Sequence, residues 1–315
     1  MSADLTEAAP AELAQSRAPR REMRDGWGRR LVIGVPFAWL LLFFLIPFVI
    51  VFLISLGSYA FGQPPYEAAI VWEGWRPVWQ GSFDNYVFLT EDPLYWRAYL
   101  GSVQIAGGAT VLCLLVAWPM AWMIARADGK WRTLLLFAVI LPFWTSSLLR
   151  IYALMGLLRP GGLINSALMG LGITDQPIQM LQTDFAVYLT IVFTYLPLMV
   201  LPLYSTLEKL DGALLEAAAD LGARGWQTFW TVTLPLSLPG IIAGCLLVFI
   251  PAVGEFVIPN LVGAQDSPMI GDVLWREYFN NRDWPVASAV AIVMLVLLVV
   301  PFMLLRNSSA LKGET

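Results

Sequence analysis

Few residues in this chain are of types that could do covalent chemistry. The chain contains no histidine, and its two cysteines, Cys113 and Cys245, each lie alone within an apolar run. It therefore lacks the commonest general base, and neither thiol has the spacing of a metal ligand. It also contains no GxxxxGK[ST] phosphate-binding loop. We predict no catalytic residue, no metal site and no cofactor in this chain.

Two charged side chains, Arg150 and Glu255, interrupt long apolar runs, and their chemistry would be noncovalent. A charge within a membrane span is costly unless it is paired or faces water. The structural interpretation is an Arg150–Glu255 ion pair, or an Arg150 side chain that reaches outward to water. The functional interpretation is that Glu255 receives a cationic substrate. Trp144 and Tyr152 could then hold an ammonium group by cation–π contact, although aromatic residues in spans also serve packing.

A further polar feature is the segment 208–238, here called the elbow, which lies between two apolar runs. Apolar residues recur in it at helical spacing up to Gly222, which can adopt a positive φ and so end a short helix in a sharp turn. Aromatic residues between Trp226 and Trp230 then predict a second short helix, which Pro235 and Pro239 should stop. The pattern predicts a helix–turn–helix with an aromatic tip.

The charge of the elbow indicates what it contacts. Its core carries the acids Glu216 and Asp220, whereas helices that lie on a lipid surface prefer a basic polar face. An amphipathic loop on the lipid surface is the alternative. The acids favour a soluble protein partner that moves the membrane part through the elbow.

The elements that must position these residues are those of a membrane protein. The 315-residue chain is 58% hydrophobic and only 13% charged, whereas soluble domains carry about 25% charged residues. Its apolar runs are long enough to span a bilayer. We predict an all-α integral membrane protein with an N-terminal tail at 1–30, a C-terminal tail at 306–315 and six spans at about 31–56, 98–125, 133–158, 185–207, 239–263 and 286–305.

Lys and Arg are unevenly distributed between the two sides of these spans. The tails, the link 126–132 and the elbow hold thirteen, and the opposite segments hold five. By the positive-inside rule, both termini and the elbow face the cytoplasm. Arg150 and Glu255 each lie 17 residues from the inner end of their span, which is about 25 Å at 1.5 Å per residue, so the two could meet.

Three other patterns concern packing. The segment 57–97 is rich in Trp, Pro and Gly, which suits either a stretch at the membrane interface or a folded loop. Small residues at 107–109 predict a close approach of the second span to another helix. Pro251, Gly254 and Pro259 should break the fifth span beside Glu255 and free carbonyl groups that attract cations.

The elbow resembles the signature EAA-x3-G-x9-I-x-LP of permeases of binding-protein-dependent ABC importers. Glu216, Ala217 and Ala218 are followed at the signature's spacing by Gly222 and by VTLP at 232–235, with Val in place of Ile. Further segments resemble polyamine permeases, in particular the PotH-type permeases of putrescine importers: LPFWTSSLLRIYA at 141–153, FIPAVGEFVIP at 249–259 and NNRDWPVASA at 280–289.

This resemblance implies a MetI-like, type I ABC importer permease fold and a transport subunit without ATPase activity. Putrescine is the expected substrate, and spermidine, another small cation or an amino acid is the alternative within the family. An ion-driven secondary transporter or an intramembrane enzyme is the alternative outside it. The absence of His and the single intramembrane acid, Glu255, argue against both.

The resemblance also implies partners. A cytoplasmic ATPase dimer, which would bind ATP and Mg²⁺, is expected to dock on the elbow. A second homologous permease would complete the pathway, and a periplasmic polyamine-binding protein would deliver substrate. Lipid of the bacterial inner membrane would surround the chain, and no nucleic acid is expected. The residues implied in ATPase coupling are Glu216, Ala217, Ala218, Asp220, Gly222, Trp226 and Phe229.

Overall fold

The structure is a computed structural model that describes residues 27–264 and 268–307. The chain divides into two compact units, Met1–Val51 and Phe52–Thr315, which are described separately. The predicted N-terminal tail lies outside the described residues up to residue 26. The predicted C-terminal tail lies outside them from residue 308 onward.

The described part of the first unit, residues 27–51, is helical. Helix α1 (Trp27–Leu40) continues through a π-helical turn (Leu41–Leu45) into α2 (Ile46–Ser55), whose last residues belong to the second unit. The π-helical turn ends two residues before Pro47. A proline is tolerated in a spanning helix when such local adjustments re-satisfy the backbone.

The second unit is mainly helical and contains four short strands. In chain order its elements are β1 (Ser58–Tyr59), β2 (Tyr66–Glu67), β3 (Ile70–Glu73), β4 (Arg76–Trp79), α3 (Asp84–Glu91), α4 (Pro93–Arg126), α5 (Gly129–Ile140), α6 (Ser147–Leu158), α7 (Leu163–Gly170), α8 (Asp184–Leu207), α9 (Gly212–Asp220), α10 (Gly225–Thr228), α11 (Leu234–Val253), α12 (Val257–Val262), α13 (Ile270–Trp275) and α14 (Trp284–Asn307).

Within the described residues, five helices are long and apolar enough to cross a membrane. Helix α14 adds a shorter apolar stretch, Trp284–Val300. The count of six spans therefore stays a prediction. The five are Arg30–Ser55, Pro93–Arg126, Ser147–Gly170, Asp184–Leu207 and Gly225–Val253.

Helices α4, α8 and α11 pack against one another and form the centre of the second unit. The predicted close approach occurs at Gly108, where an added Cβ would lie 2.8 Å from the ring of Tyr188 on α8. Gly244 on α11 is equally crowded, since an added Cβ would lie 2.7 Å from the sulfur of Met199. Small residues allow helix backbones to approach and maximise their van der Waals contact.

The segment predicted as the third span, 133–158, is interrupted in the structure. Helix α5 ends at Ile140, a 3₁₀ turn follows over Leu141–Trp144, and α6 begins at Ser147. Pro142 lies in the turn, and it lacks the N–H that a continuing α-helix would use. Consequently the depth of Arg150 cannot be counted along one straight helix.

The segment 57–97 is a folded loop, so the structure departs from a purely α-helical fold. Strands β1 and β2 form one antiparallel ribbon, and β3 and β4 form another. The amide of Asn85 ties the segment to the end of α2, because its Nδ2 donates to the carbonyls of Ser55 and Gly57, both at 2.8 Å. Trp75 at the tip of the second ribbon is 97% exposed, which fits the membrane-interface interpretation as well.

The predicted break in the fifth span lies at Gly254 to Phe256. Helix α11 ends at Val253 and α12 begins at Val257, so Gly254 lies at the break as predicted, whereas Pro251 lies inside α11 and Pro259 lies inside α12 and neither breaks its helix. Gly271 at the start of α13 sits directly on this break, since an added Cβ would lie 2.7 Å from the carbonyl oxygen of Glu255. Only glycine permits α13 to pack this closely.

Candidate functional site

The turn of the elbow is built by the residues of the EAA signature. Helix α9 ends at Asp220, and Gly222 has a φ of 81°. The Ala223 N–H donates to the Ala218 carbonyl at 3.0 Å. The Gly222 N–H donates to the Ala219 carbonyl at 2.8 Å. This is a Schellman motif, and it confirms the predicted role of Gly222 in ending the first helix.

The second half of the elbow begins at Arg224. Its backbone N–H donates to the side-chain oxygen of Gln227 at 2.8 Å, which caps α10. Helix α10 passes into a π-helical turn over Phe229–Thr233, in which the Leu234 N–H donates to the Phe229 carbonyl. The turn leads without interruption into α11.

The prediction that Pro235 and Pro239 stop the second helix was therefore wrong. Pro235 lies in the first turn of α11, and Pro239 lies inside that helix. The wider turn before Pro235 re-routes the backbone hydrogen bonds, so the helix continues past a residue that lacks an N–H. As a result, a continuous helical segment joins the elbow to the span that leads to Glu255.

An aromatic cluster connects the elbow to α4. The ring of Phe229 packs edge-on against Trp118 of α4, with centroids 5.5 Å apart, and it stacks on Trp226 at 6.1 Å. Trp230 contacts both Phe229 and Trp226 at 5.4 Å. A cavity of about 540 Å³ lies beneath the elbow and is lined in part by Trp118 and Trp122. Part of the aromatic tip, Phe229, therefore packs against α4 within this chain.

The outer surface of the elbow is free within this chain. Glu216, Ala217 and Asp220 are exposed. Leu221 is 89% exposed and Trp226 is 70% exposed. A surface of this kind, with a large apolar and an aromatic side chain beside acids, is typical of an interface with another protein.

The end of the bundle that carries the elbow is also tied by an ion pair. The Arg132 guanidinium lies 2.8 Å from the Glu208 carboxylate, which joins the start of α5 to the end of α8. Arg132 also donates to the Ala125 carbonyl of α4 at 3.3 Å. Both charged side chains remain about one-third exposed, so the pair holds three helix ends together at small net energy.

Glu255 lies half-buried in the break between α11 and α12. One carboxylate oxygen accepts the N–H of Val257 at 3.1 Å and that of Ile258 at 3.4 Å, which caps α12. The other accepts the hydroxyl of Tyr195 on α8 at 2.5 Å. These hydrogen bonds fix the position of the Glu255 carboxylate between α8 and α12.

The structure does not bring Arg150 and Glu255 into the predicted ion pair. Within the described ranges, 27–264 and 268–307, the ion pairs closer than 4.0 Å are Arg132–Glu208 and Arg276–Asp272. The Glu255 carboxylate is instead occupied by Tyr195 and the backbone of α12.

Arg150 itself is buried on α6, with 9% of its surface exposed. It donates to the Thr194 carbonyl at 3.4 Å and lies 5.7 Å from the centre of the Phe143 ring. Its Nε and the hydroxyls of Thr190 and Thr194 are buried without a hydrogen-bond partner among the described residues. Such groups are costly in a closed core, so this part of the bundle suits a hydrated or ligand-binding space.

The two aromatic residues predicted beside Glu255 stand on exposed surface. Trp144 is 76% exposed and contacts Phe137 edge-on at 6.2 Å. Tyr152 on α6 is 55% exposed. Their hydrogen bonds and ring contacts do not connect them to Glu255 in the part of the chain that the structure describes.

Sequence reasoning missed Tyr195 as a partner of Glu255. The two residues are 60 positions apart, and Tyr195 resembles any other aromatic residue of an apolar span. It missed Asp272 as well, which is 3% exposed, accepts from Asn260 at 3.1 Å and pairs with Arg276. The available signal was the spacing of Asp272 and Arg276, four residues apart on one helix face.

These features are those of a multi-pass membrane protein with an exposed elbow. A family model described as binding-protein-dependent transport system inner membrane component matches residues 20–311, and the chain belongs to this family. It is therefore a transport subunit of the bacterial inner membrane and not an enzyme.

Known relatives support this placement. The chain is 42% identical to the spermidine/putrescine transport system permease protein PotB of Haemophilus influenzae over 276 residues, which cover 86% of this chain and 90% of that protein. A chain of a bacterial alginate ABC transporter has a TM-score of 0.67 at 18% identity and covers 92% of this chain and 96% of its own length. A chain of the MetNI methionine ABC transporter has a TM-score of 0.50 at 15% identity, with 66% and 93% covered. The MetI-like fold is thereby confirmed.

Proposed function

We propose that this chain is the permease subunit of an ATP-driven polyamine importer and that its elbow couples it to a separate ATPase subunit. The observation that carries the proposal is the EAA signature folded as an exposed turn around Gly222. The substrate class is supported by the 42% identity to a permease named for spermidine and putrescine.

The elbow suits mechanical coupling because a continuous helix and an aromatic contact connect it to the spans. Its second helix runs unbroken into α11, and Phe229 packs on Trp118 of α4. A partner that binds Glu216, Ala217, Ala218 and the exposed aromatic tip would therefore displace α4 and α11 together. ATP hydrolysis in that partner would rock the bundle between two states around a central site, as in other alternating-access transporters.

The elbow lies in the cytoplasm under this proposal, together with both termini, because its side of the bundle carries most of the Lys and Arg residues. The opposite end would receive the polyamine from a periplasmic binding protein. A second permease of the same family would supply the other half of the pathway. Neither partner requires a catalytic residue from this chain.

Glu255 is the proposed binding group for a substrate ammonium. Its oxygen that bonds Tyr195 is the one not engaged by the α12 backbone, so an ammonium can replace the tyrosine hydroxyl there without undoing the cap of α12. Putrescine, a diamine, is the substrate we expect, with spermidine as the alternative. Trp144 and Tyr152 are proposed to line the same path in another state or beside the second permease.

Deletion of the gene in its natural host and complementation with tagged chain test the proposal. Uptake of radiolabelled putrescine and spermidine should disappear on deletion and return on complementation, and the tagged chain should co-purify with an ATPase. Unchanged uptake of both polyamines on deletion would overturn the assigned substrate. Absence of an ATPase from the purified complex would overturn the assigned coupling.

A further inference from the structure

A continuous series of aromatic rings runs from the break beside Glu255 to the ribbon β1–β2. Successive ring centroids along it lie between 4.1 and 6.1 Å apart. We call this series the aromatic track, and it consists of Phe256, Trp275, Phe279, Tyr278, Trp284 and Tyr66.

The geometry of the track leaves ring surface accessible. Phe256 stacks on Trp275 at 4.5 Å, and Trp275 lies 4.1 Å from Phe279. Tyr278 stacks on Trp284 at 5.1 Å. Trp275 is 38% exposed, Tyr278 is 37% exposed and Phe279 is 53% exposed. These partly exposed rings can therefore contact a ligand as well as pack against one another.

The position of the track is set by α13 and the turn that follows it. Gly271 rests on the backbone of Glu255, so α13 starts at the break and Trp275 lies one turn further along. A π-helical turn over Arg276–Asn280 then places Tyr278 and Phe279 side by side. The track is therefore at the end of α11 that lies opposite the elbow, about 30 Å from Leu234 at 1.5 Å per residue.

The charges beside the track favour a cation. Glu277 accepts from Tyr95 at 3.1 Å and from Asn281 at 2.8 Å, and Asp283 caps α14 through the Val286 N–H at 3.0 Å. The cationic Arg276 is neutralised by Asp272. Arg282 is exposed and is the group that opposes this preference.

We infer that the aromatic track binds the alkyl ammonium substrate and conducts it between the ribbon β1–β2 and Glu255. An ammonium is attracted to ring faces, and the methylene chain of a polyamine packs on the same rings. The exposed surfaces of Trp275, Tyr278 and Phe279 offer neighbouring weak sites, so a flexible diamine can exchange one ring for the next without full rehydration. This inference rests on the proposed polyamine function, and it assigns Phe279 and Trp275 as specificity-determining residues.

The test compares ring removal with ring retention at one exposed position. Phe279→Leu removes the ring and keeps an apolar side chain, whereas Phe279→Trp retains a ring. Uptake kinetics for putrescine are measured in the deletion host. We expect the KM of Phe279→Leu to rise about 5- to 30-fold, the range of a cation–π contact, and that of Phe279→Trp to stay within about twofold. Phe185→Leu, which removes a ring 57% exposed outside the track, is the control and should match the unmodified chain.

Equal KM values for Phe279→Leu and Phe185→Leu, at equal amounts of assembled complex, would overturn the inference while the polyamine function stands. If Phe279→Leu lowers the amount of complex, fluorinated tryptophan at position 275 decides. Fluorination weakens the ring's attraction for cations with little change in shape, so the KM should rise with each added fluorine, and an unchanged KM would overturn the inference. An unmodified chain that transports no polyamine would overturn both the inference and the proposed function.

Discussion

The two ends of the helix bundle hold their charged groups in different ways. At the elbow, Glu216 and Asp220 are exposed, and the turn is held by backbone hydrogen bonds around Gly222. At the opposite end, Glu255 and Asp272 are held by side chains and backbone groups from other elements.

This difference is consistent with different binding partners at the two ends, a protein at the elbow and the substrate at the opposite end. Under the proposed function the elbow presents its exposed acids to the ATPase subunit, so changes there should impair coupling more than folding. The opposite end satisfies its own carboxylates and leaves aromatic rings exposed. Changes there should therefore affect substrate binding at Glu255 and stability at Asp272. Four substitutions distinguish the two ends, from the largest expected effect to the smallest.

Gly222→Val should reduce polyamine uptake to background. A left-handed conformation costs a non-glycine residue about 1–2 kcal/mol, and a β-branched residue is worse, so the turn would rearrange and misplace the EAA residues. Gly212→Ala in the same elbow is the control, because its position has no close neighbour and an ordinary φ. Uptake and the amount of complex in the membrane are measured for both. Normal uptake by Gly222→Val would show that the turn is not required.

Glu255→Gln should lower the apparent affinity for putrescine about 10- to 100-fold, the worth of a hydrogen bond to a charged group. Its thermal stability should change little, because a glutamine oxygen can still accept the N–H groups of Val257 and Ile258. Glu73→Gln, on the exposed ribbon β3–β4, is the control. If uptake kinetics and assembly are both unchanged, Glu255 does not bind substrate.

Arg276→Gln should destabilise the purified complex by about 2 kcal/mol, because it leaves the Asp272 carboxylate buried without its cation, although water already reaches the half-exposed Arg276 side chain. The Asp272 side chain is only 4% exposed, although Asn260 still donates to it. Thermal unfolding of the purified complex is the measurement, and Arg276→Lys should recover part of the loss. A change no larger than that of an exposed ion pair would contradict the internal role of this group.

Arg132→Gln should cost at most about 1 kcal/mol, because the pair that it forms with Glu208 is about one-third exposed. The same unfolding measurement applies, and the effect should shrink further at high salt. A loss equal to that of Arg276→Gln would remove the distinction between the two ends of the bundle.

The same contrast explains which parts of the molecule could be predicted from sequence. The elbow is local: its turn depends on Gly222 and on carbonyls within five residues of it, so spacing alone predicts its bend. The apolar spans are likewise recognised from long runs of apolar residues. The break beside Glu255 was predictable from Gly254 and confirmed.

The features that were predicted wrongly or missed depend on contacts between distant segments or on small backbone adjustments. Tyr195 meets Glu255 across 60 residues, and no local pattern distinguishes it from other tyrosines in spans. Pro235 was expected to end a helix, but the π-helical turn over Phe229–Thr233 lets the helix continue past it. Pro142, by contrast, lies at a true interruption, in the 3₁₀ turn between α5 and α6. Sequence alone does not distinguish these two outcomes for a proline.

ATP-dependent polyamine transport in proteoliposomes tests the central claim most directly. The complex purified through a tag on this chain is reconstituted with its binding protein, and accumulation of radiolabelled putrescine is measured with and without ATP. The account predicts accumulation that requires ATP, is lost in Gly222→Val and is retained in Gly212→Ala. Accumulation driven by an imposed ion gradient in the absence of an ATPase would contradict it and would identify a secondary transporter.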